Sequence, residues 1–154
     1  MREPWSVERA QEIITAHRHD DGPALPILHA LQETFGFVPQ DAVPLIAEAL
    51  NLSRAEVHGI VTFYHDFRRE APGRHVLKLC RAEACQSMGG DALADAVQEH
   101  LGAGFGETSH DGAVTLEPVY CLGMCACAPA AMLDGKPVAR LTSEKLQKLV
   151  ETAR

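Results

Sequence analysis

Five cysteines, grouped in two clusters, constrain this 154-residue chain more than any other feature of its sequence. The first cluster is CRAEAC at residues 80–85, and the second lies in CLGMCACAP at residues 121–129. Each cluster follows a run of residues that is typical of a β-strand, because HVLKLC ends at Cys80 and GAVTLEPVYC ends at Cys121. If the two strands are neighbours, both clusters lie at one edge of a sheet, where four thiolates can bind metal.

The spacing of the cysteines leaves several kinds of site open. Structural zinc usually takes C-x2-C pairs, whereas Cys80 and Cys85 have four residues between them and Cys121 and Cys125 have three. Disulfides are disfavoured by the odd number of cysteines and by a reducing cytosol. A C-x4-C loop is found in some [2Fe–2S] proteins, so an iron–sulfur cluster is the preferred hypothesis and zinc the main alternative. Spacing alone does not choose between Cys125 and Cys127 as a ligand.

Composition and charge exclude several classes of function. The chain has 14 Lys and Arg against 21 Asp and Glu, a net charge of −7, which argues against nucleic acid as the main partner. No segment approaches the roughly 18 consecutive apolar residues of a membrane span. The N-terminal run MREPWSVERAQEII is charged and then amphipathic, unlike a secretory signal, so a cytoplasmic location is expected.

Four amphipathic segments in residues 1–72 predict an N-terminal helical bundle. The first begins after Ser6, which is a good helix cap, and the second ends at Gly36. Asp41 is expected to cap the third segment. A capping box at residues 53–56 is expected to open the fourth, which runs through VHGIVTFYHDF.

Residues 73–154 predict a different, mixed architecture. After the strand HVLKLC we expect a helix capped by Asp91, the strand GAVTLEPVYC, two short strands around the favoured hairpin turn Asp134-Gly135, and a final helix capped by Ser143. The order β-α-β-β-β-α resembles a thioredoxin fold. The whole chain is thus predicted to be α+β, with a helical bundle followed by a thioredoxin-like α/β domain that holds a [2Fe–2S] cluster.

Several motifs, in the same order along the chain, resemble the thioredoxin-like [2Fe–2S] subunit family of NADH dehydrogenase and related NAD-linked enzymes. That family has a C-x4-C motif and, further on, C-L-G-x-C with a nearby A-P, which here are CRAEAC and CLGMCACAP. GETSHDGAVTL before the second cluster and GIVTFYHDF in the bundle also match family motifs. The resemblance covers nearly the whole chain.

The resemblance implies a ligand set and a cofactor. Position by position, it assigns Cys80, Cys85, Cys121 and Cys125 as the iron ligands of one [2Fe–2S] cluster. Cys127 falls where many relatives have another residue, so it is interpreted as a free thiol near the cluster and not as a ligand.

The resemblance also implies a role and a partner. CRAEACQSMGG and CLGMCACAPAAM look most like the gamma subunit of a soluble NAD-dependent formate dehydrogenase. That implies an electron-transfer subunit whose cluster lies next to the FMN of an NADH-binding flavoprotein subunit, within a larger formate dehydrogenase complex. The equivalent subunit of NADH:quinone oxidoreductase (complex I) or of an NAD-reducing hydrogenase is the alternative.

No substrate site of its own is predicted for the chain. Its glycines lack the spacing of the dinucleotide fingerprint G-x-G-x-x-G. A thiol redox protein would be expected to have a C-x2-C motif at a helix N-terminus, which is absent from the sequence. A zinc-stabilised interaction module is the non-redox alternative. In the bundle, Phe63, Tyr64 and Phe67 are interpreted as core residues, with a partner-binding patch as the alternative.

Overall fold

The computed structural model describes residues 2–154, which fall into two compact units. The first unit ends at Ala71, and the second is Pro72–Arg154. The boundary between the units lies in the charged REAPGR turn, where the sequence pattern changes. The assignment of 1–72 and 73–154 as separate domains stays a prediction.

The first unit contains four α-helices among the described residues: α1 (Val7–His17), α2 (Ala24–Phe35), α3 (Ala42–Leu50) and α4 (Arg54–Phe63). As predicted, the Ser6 hydroxyl accepts a hydrogen bond from the N–H of Arg9, and Ser53 and Glu56 form a capping box. Gly36 ends α2 with a φ of 87°, a left-handed conformation that glycine adopts without a steric penalty.

Two predictions for the bundle are wrong. Asp41 precedes α3, but its backbone is helical (φ −67°, ψ −17°) and its side chain makes no capping hydrogen bond, because a capping residue needs an extended backbone. Helix α4 ends at Phe63 and does not continue through the predicted VHGIVTFYHDF segment. The chain turns instead at Tyr64, whose carbonyl accepts a hydrogen bond from the N–H of Phe67 at 3.1 Å.

This turn separates the three aromatic residues that were interpreted as core. Phe67 is 6% exposed, and its ring lies 5.0 Å from the ring of His29, so the interpretation is right for Phe67. It is wrong for Phe63 and Tyr64, which are 72% and 43% exposed. The core of the unit comes from the inward faces of the helices, with Ile27, Leu28, Leu31 and Ile46 fully buried. Burial of each such side chain stabilises the fold by about 1.5–3 kcal/mol.

The second unit is a four-stranded mixed sheet with helices. In chain order, its elements are β1 (His75–Cys80), α5 (Glu83–Ser87), α6 (Gly90–Leu101), β2 (Val114–Val119), a 3₁₀ turn (Cys125–Cys127), β3 (Ala131–Leu133), β4 (Lys136–Val138) and α7 (Ser143–Ala153). The strand order is β2-β1-β3-β4, with β1 parallel to β2 and antiparallel to β3, and β3 antiparallel to β4. The predicted α+β, thioredoxin-like fold is confirmed, and the short helix α5 is an addition to the predicted order.

The start of α6 differs from the prediction. Gly89, with a φ of 89°, precedes the helix, and Asp91 lies inside its first turn instead of capping it. The reason is the contact made by Gly90, where a Cβ atom would lie 2.6 Å from the carbonyl oxygen of Cys85. The glycine pair therefore lets α6 start directly against a cysteine of the first cluster. The carboxylate of Asp91 still complements the positive end of the helix dipole.

The start of α7 and the end of β2 differ from their predicted positions by one or two residues, whereas the turn between β3 and β4 is as predicted. Helix α7 is capped by Thr142, the neighbour of the predicted Ser143, since the Thr142 hydroxyl accepts from the N–H of Lys145. Strand β2 ends at Val119 and not at Cys121, because Cys121 has a φ of 98° that no strand accommodates. The Asp134-Gly135 turn between β3 and β4 has positive φ at both residues, as the favoured two-residue hairpin requires.

Candidate iron–sulfur site

The four predicted ligands lie at the carboxyl ends of two adjacent parallel strands. Cys80 is the last residue of β1 and pairs in register with Val119, the last residue of β2. Cys85 follows β1 in helix α5, and Cys121 and Cys125 follow β2. The predicted delivery of both clusters to the same edge by neighbouring strands is thus what the sheet shows.

The thiols are arranged as two pairs. The Sγ atoms of Cys121 and Cys125 are 3.6 Å apart. The thiols of Cys80 and Cys85 form the second pair, since each shifts the ionisation of the other. Two thiolates on one tetrahedral metal, with bonds of about 2.3 Å, lie about 3.8 Å apart. The residues therefore fit a binuclear cluster, in which each iron takes two of the four thiolates.

The two pairs lie close to each other. Backbone N–H groups of the second loop, at Cys121 and Leu122, are among the groups that stabilise the Cys80 thiolate, and the charge of Cys80 acts on Cys125. Within residues 2–154, no three His, Cys, Asp or Glu side chains are arranged as a site for a single metal ion.

The two buried thiols have opposite ionisation behaviour. Burial opposes ionisation of Cys80. Hydrogen bonds to its sulfur outweigh the effect of burial and lower the Cys80 pKa. The donors are the N–H of Ala82, the Cys85 thiol and the N–H groups of Cys121 and Leu122. Burial raises the pKa of Cys85, and the neighbouring Cys80 raises it further. Because the thiolate is the form that binds iron, Cys80 is the first of this pair to reach the binding form as the pH rises.

The exposed pair is shaped by its backbone turn. Cys121 has a φ of 98°, a conformation that costs a non-glycine residue about 1–3 kcal/mol. In this turn the N–H of Gly123 donates to the Cys121 sulfur at 3.3 Å. The pKa of Cys125 is raised by its hydrogen bond with Cys121 and by the charge of that residue. The strained turn thus directs a backbone donor toward sulfur, as expected where sulfur carries negative charge.

Cys127 is half-buried in the 3₁₀ turn that contains Cys125. Its N–H donates to the carbonyl of Met124, and its carbonyl accepts from the N–H of Arg140, both at 2.8 Å. The backbone of Cys127 therefore anchors the second cysteine loop to the segment that leads into α7. Its interpretation as a free thiol near the cluster stays a prediction.

Sequence reasoning missed the element that carries Cys85. The five-residue helix α5 begins after Ala82, and the N–H of Gln86 donates to the Ala82 carbonyl at 3.0 Å. The available signal was the glycine pair 89–90, of which Gly89 needs a positive φ and Gly90 needs the space that a side chain would occupy. These glycines allow α5 and α6 to follow each other closely and hold Cys85 in place.

A thioredoxin-like sheet with two thiol pairs at one edge defines a class of small iron–sulfur proteins, and comparison with known proteins agrees. The sequence pattern of the thioredoxin-like [2Fe–2S] ferredoxin family matches residues 10–154. A subunit of the NADH-quinone oxidoreductase of Pseudomonas aeruginosa is 36% identical over 137 residues, which is 88% of this chain and 82% of that protein. Its counterpart in Escherichia coli K12 is 35% identical with the same coverage.

A longer relative and a solved structure complete the comparison. The corresponding NADH-quinone oxidoreductase subunit of Mycobacterium bovis is 34% identical over 94% of this chain, which spans 58% of that protein. A chain of an NAD⁺-reducing [NiFe]-hydrogenase matches 84% of this chain with a TM-score of 0.72 and 23% identity, and only 22% of the hydrogenase chain is covered. At that identity the hydrogenase shows a shared fold alone.

The chain belongs to the thioredoxin-like [2Fe–2S] ferredoxin family, and the relatives named above are subunits of NADH-quinone oxidoreductases. This confirms the predicted family, the [2Fe–2S] cofactor and the general role as a redox subunit. The individual ligands stay a prediction that the geometry fits. No helix in residues 2–154 is both long enough and apolar enough to cross a membrane.

Proposed function

We propose that this chain is the electron-transfer (gamma) subunit of a soluble NAD-dependent formate dehydrogenase, with Cys80, Cys85, Cys121 and Cys125 as the ligands of one [2Fe–2S] cluster. The observation that supports the electron-transfer role is the convergence of two thiol pairs at the ends of β1 and β2. The likeness of CRAEACQSMGG and CLGMCACAPAAM to that gamma subunit supports the choice of parent enzyme.

A bound [2Fe–2S] cluster supplies a one-electron redox centre. The chain's own residues set its surroundings. Backbone N–H groups directed at the sulfurs of Cys80 and Cys121 stabilise negative charge there. Such donors favour the more negative, reduced state of the site and raise its potential. Buried Cys80 and Cys85 keep water from one side of the site, while Cys121 and Cys125 reach the surface.

The surface beside the exposed thiols supports a docking role. Tyr120 and Met88 are 75% and 62% exposed, and each lies within three residues of a proposed ligand. Exposed large apolar side chains next to a redox site are typical of a protein interface. The proposed partner is an FMN- and NADH-binding flavoprotein subunit of a larger cytoplasmic formate dehydrogenase complex, placed so that its FMN lies near Cys121 and Cys125.

The experiment that tests the redox role is EPR of the anaerobically purified, dithionite-reduced chain, with iron and acid-labile sulfide counted on the same sample. We expect an S = 1/2 signal and two irons and two sulfides per chain. The Cys127→Ser variant should keep both, whereas Cys121→Ser should lose them. A colourless, EPR-silent sample with one zinc would overturn the proposal and leave the zinc-stabilised module.

The parent enzyme is tested by purifying the tagged chain with its native partners. Formate-dependent reduction of NAD⁺ by the purified complex, together with formate-dependent appearance of the S = 1/2 signal, supports formate dehydrogenase. The second candidate is the equivalent subunit of an NADH-quinone oxidoreductase, which the 36% identity to the Pseudomonas aeruginosa protein favours. NADH:quinone activity without formate activity would establish that candidate and leave the electron-transfer role intact.

A further inference from the structure

Arg81 directly follows the proposed ligand Cys80, and its guanidinium group is held at two points. Its Nη2 atom lies 2.9 Å from the Asp91 carboxylate of α6, and its Cζ atom lies 5.0 Å from the centre of the Phe105 ring. The N–H of Arg81 also donates to the carbonyl of Val119 at 2.8 Å, which ties the end of β1 to the end of β2. A positive charge is therefore held in a defined position, one residue after Cys80 and against α6, whose Gly90 borders the backbone of Cys85.

The charge of Arg81 is better shielded from solvent than that of its partner Asp91. The Arg81 side chain is 27% exposed, whereas its partner Asp91 is 61% exposed. The Nε atom of Arg81 is inaccessible to solvent and has no hydrogen-bond partner among residues 2–154. A buried donor without a partner is costly and requires an explanation. A concentration of negative charge nearby, such as four thiolates and two sulfides, would compensate this donor electrostatically.

We propose that Arg81 raises the reduction potential of the cluster and that Asp91 opposes this effect. The inference rests on the proposed ligation by Cys80, Cys85, Cys121 and Cys125. Reduction adds one negative charge at the site, so a fixed positive charge stabilises the reduced form more than the oxidised form. A carboxylate does the opposite. Because Arg81 is less exposed than Asp91, its charge is the less screened of the two.

A purely structural role for this ion pair predicts something different. If Arg81 and Asp91 only held α6 against the first cysteine loop, loss of either partner would loosen the same contact. The potential would then shift in the same direction in both variants, together with a loss of iron. Opposite signs are expected only if the charges themselves act on the cluster.

The test is an EPR-monitored redox titration of the full chain with its cluster, with iron content measured on every sample. For Arg81→Gln we expect a shift to lower potential, with about a tenfold change in the ratio of reduced to oxidised protein, which is 59 mV for one electron. For Asp91→Asn we expect a smaller shift to higher potential. The double variant should lie between the two, and Arg81→Lys, which keeps the charge, should stay near wild type.

Asp95→Asn provides the matched control, because Asp95 is an exposed carboxylate on the same helix, one turn beyond Asp91. It should shift the potential upward by less than Asp91→Asn. Shifts of the same sign in Arg81→Gln and Asp91→Asn, or no shift in either, would overturn the inference. If Arg81→Gln does not fold, Asp91→Asn decides by itself: an upward shift supports the inference and any other result contradicts it. A wild-type chain without the S = 1/2 signal would instead contradict the proposed function.

Discussion

The two cysteine pairs differ in how the fold holds them. Cys80 and Cys85 are buried, lie on the regular elements β1 and α5, and pack with Ala130 in a small cluster of their own. Cys121 and Cys125 are exposed and lie in the loop after β2, Cys121 in an irregular turn and Cys125 at the start of a 3₁₀ turn. One pair is therefore positioned by packing and the other by the conformation of a turn.

This difference suggests that the two cysteine pairs have different roles in one site. In the proposed site, the buried pair would fix the position of the cluster relative to the sheet and limit its contact with water. The exposed pair would leave one side of the cluster open to the proposed partner protein. The following experiments test this comparison.

The largest effect is expected from removing one ligand of each pair. Cys85→Ser and Cys125→Ser should both lose most of their iron, measured after reconstitution. In the cluster-free chain their stabilities should differ, because a serine hydroxyl at the buried position costs about 1–3 kcal/mol if it finds no partner, while the exposed position tolerates it with little change. Urea denaturation measures the difference, with Cys127→Ser as the control. Equal destabilisation by both substitutions would contradict the comparison.

A similar contrast is expected for two glycines, one beside each pair. The Cβ atom of Gly90→Ala would lie 2.6 Å from the backbone of Cys85, so crowding should cost about 1–3 kcal/mol and weaken iron retention. Gly123, with a φ of 74°, has open space around its Cβ position, and Gly123→Ala should cost only about 1–2 kcal/mol of backbone strain. Urea denaturation and iron counts are the measurements. A Gly90→Ala chain as stable as wild type would show that α6 shifts freely away from Cys85.

Substitution of the exposed Tyr120 tests whether a partner docks on the side of the site that carries Cys121 and Cys125. If the proposed flavoprotein subunit docks beside Cys121, Tyr120→Ala should weaken its binding about tenfold, as expected for a tyrosine at the centre of an interface. Phe63→Ala is the control, because Phe63 is similarly exposed but lies in the other unit. Calorimetric titration gives both affinities. A loss with Phe63→Ala alone would place the docking surface on the helical bundle and not beside Cys121.

The smallest effect concerns the loop that leads into β2 and so to the exposed pair. Hydrogen bonds from the Ser109 hydroxyl and the Ala113 N–H, together with Arg154, lower the pKa of Asp111 to about 2 from 3.8. The stabilisation by this carboxylate is complete above pH 3.8 and is lost as the pH falls through about 2. Wild type should therefore be more stable than Asp111→Asn near neutral pH. Urea denaturation across this range should show the difference shrinking below about pH 4; a difference as large at pH 2 as near neutral pH would contradict the assignment.

Several elements could be predicted from the sequence because their signals are local. The alternation in HVLKLC predicts β1 with Cys80 at its end, and the structure has this strand with the same bounds. The caps at Ser6 and Ser53 and the turn at Asp134-Gly135 depend on neighbouring residues, and they are confirmed. Local signals also explain why the cap of α7 was predicted one residue too late. Thr142 and Ser143 are both good caps, and the sequence pattern does not choose between them.

The family resemblance, which rests on two cysteine spacings and their flanking motifs, predicts the cofactor from the sequence alone. The family match confirms the cofactor, while the individual ligands are supported by geometry alone. The sequence did not indicate that Cys85 lies in a helix, α5, or that Gly90 packs against the backbone of Cys85. Short helices have weak propensity signals, and the close contact depends on how two helices pack.

The sequence by itself determined the order of the strands and of every helix except α5, the grouping of the cysteines into two loops, and the chemistry these loops offer. Only the tertiary structure decided that one thiol pair is buried and the other exposed, and that Arg81 lies against Phe105 and Asp91. The physical reason is that caps, turns and strand alternation depend on adjacent residues. Burial and electrostatic environment depend on residues that the sheet and helices bring together from distant parts of the chain.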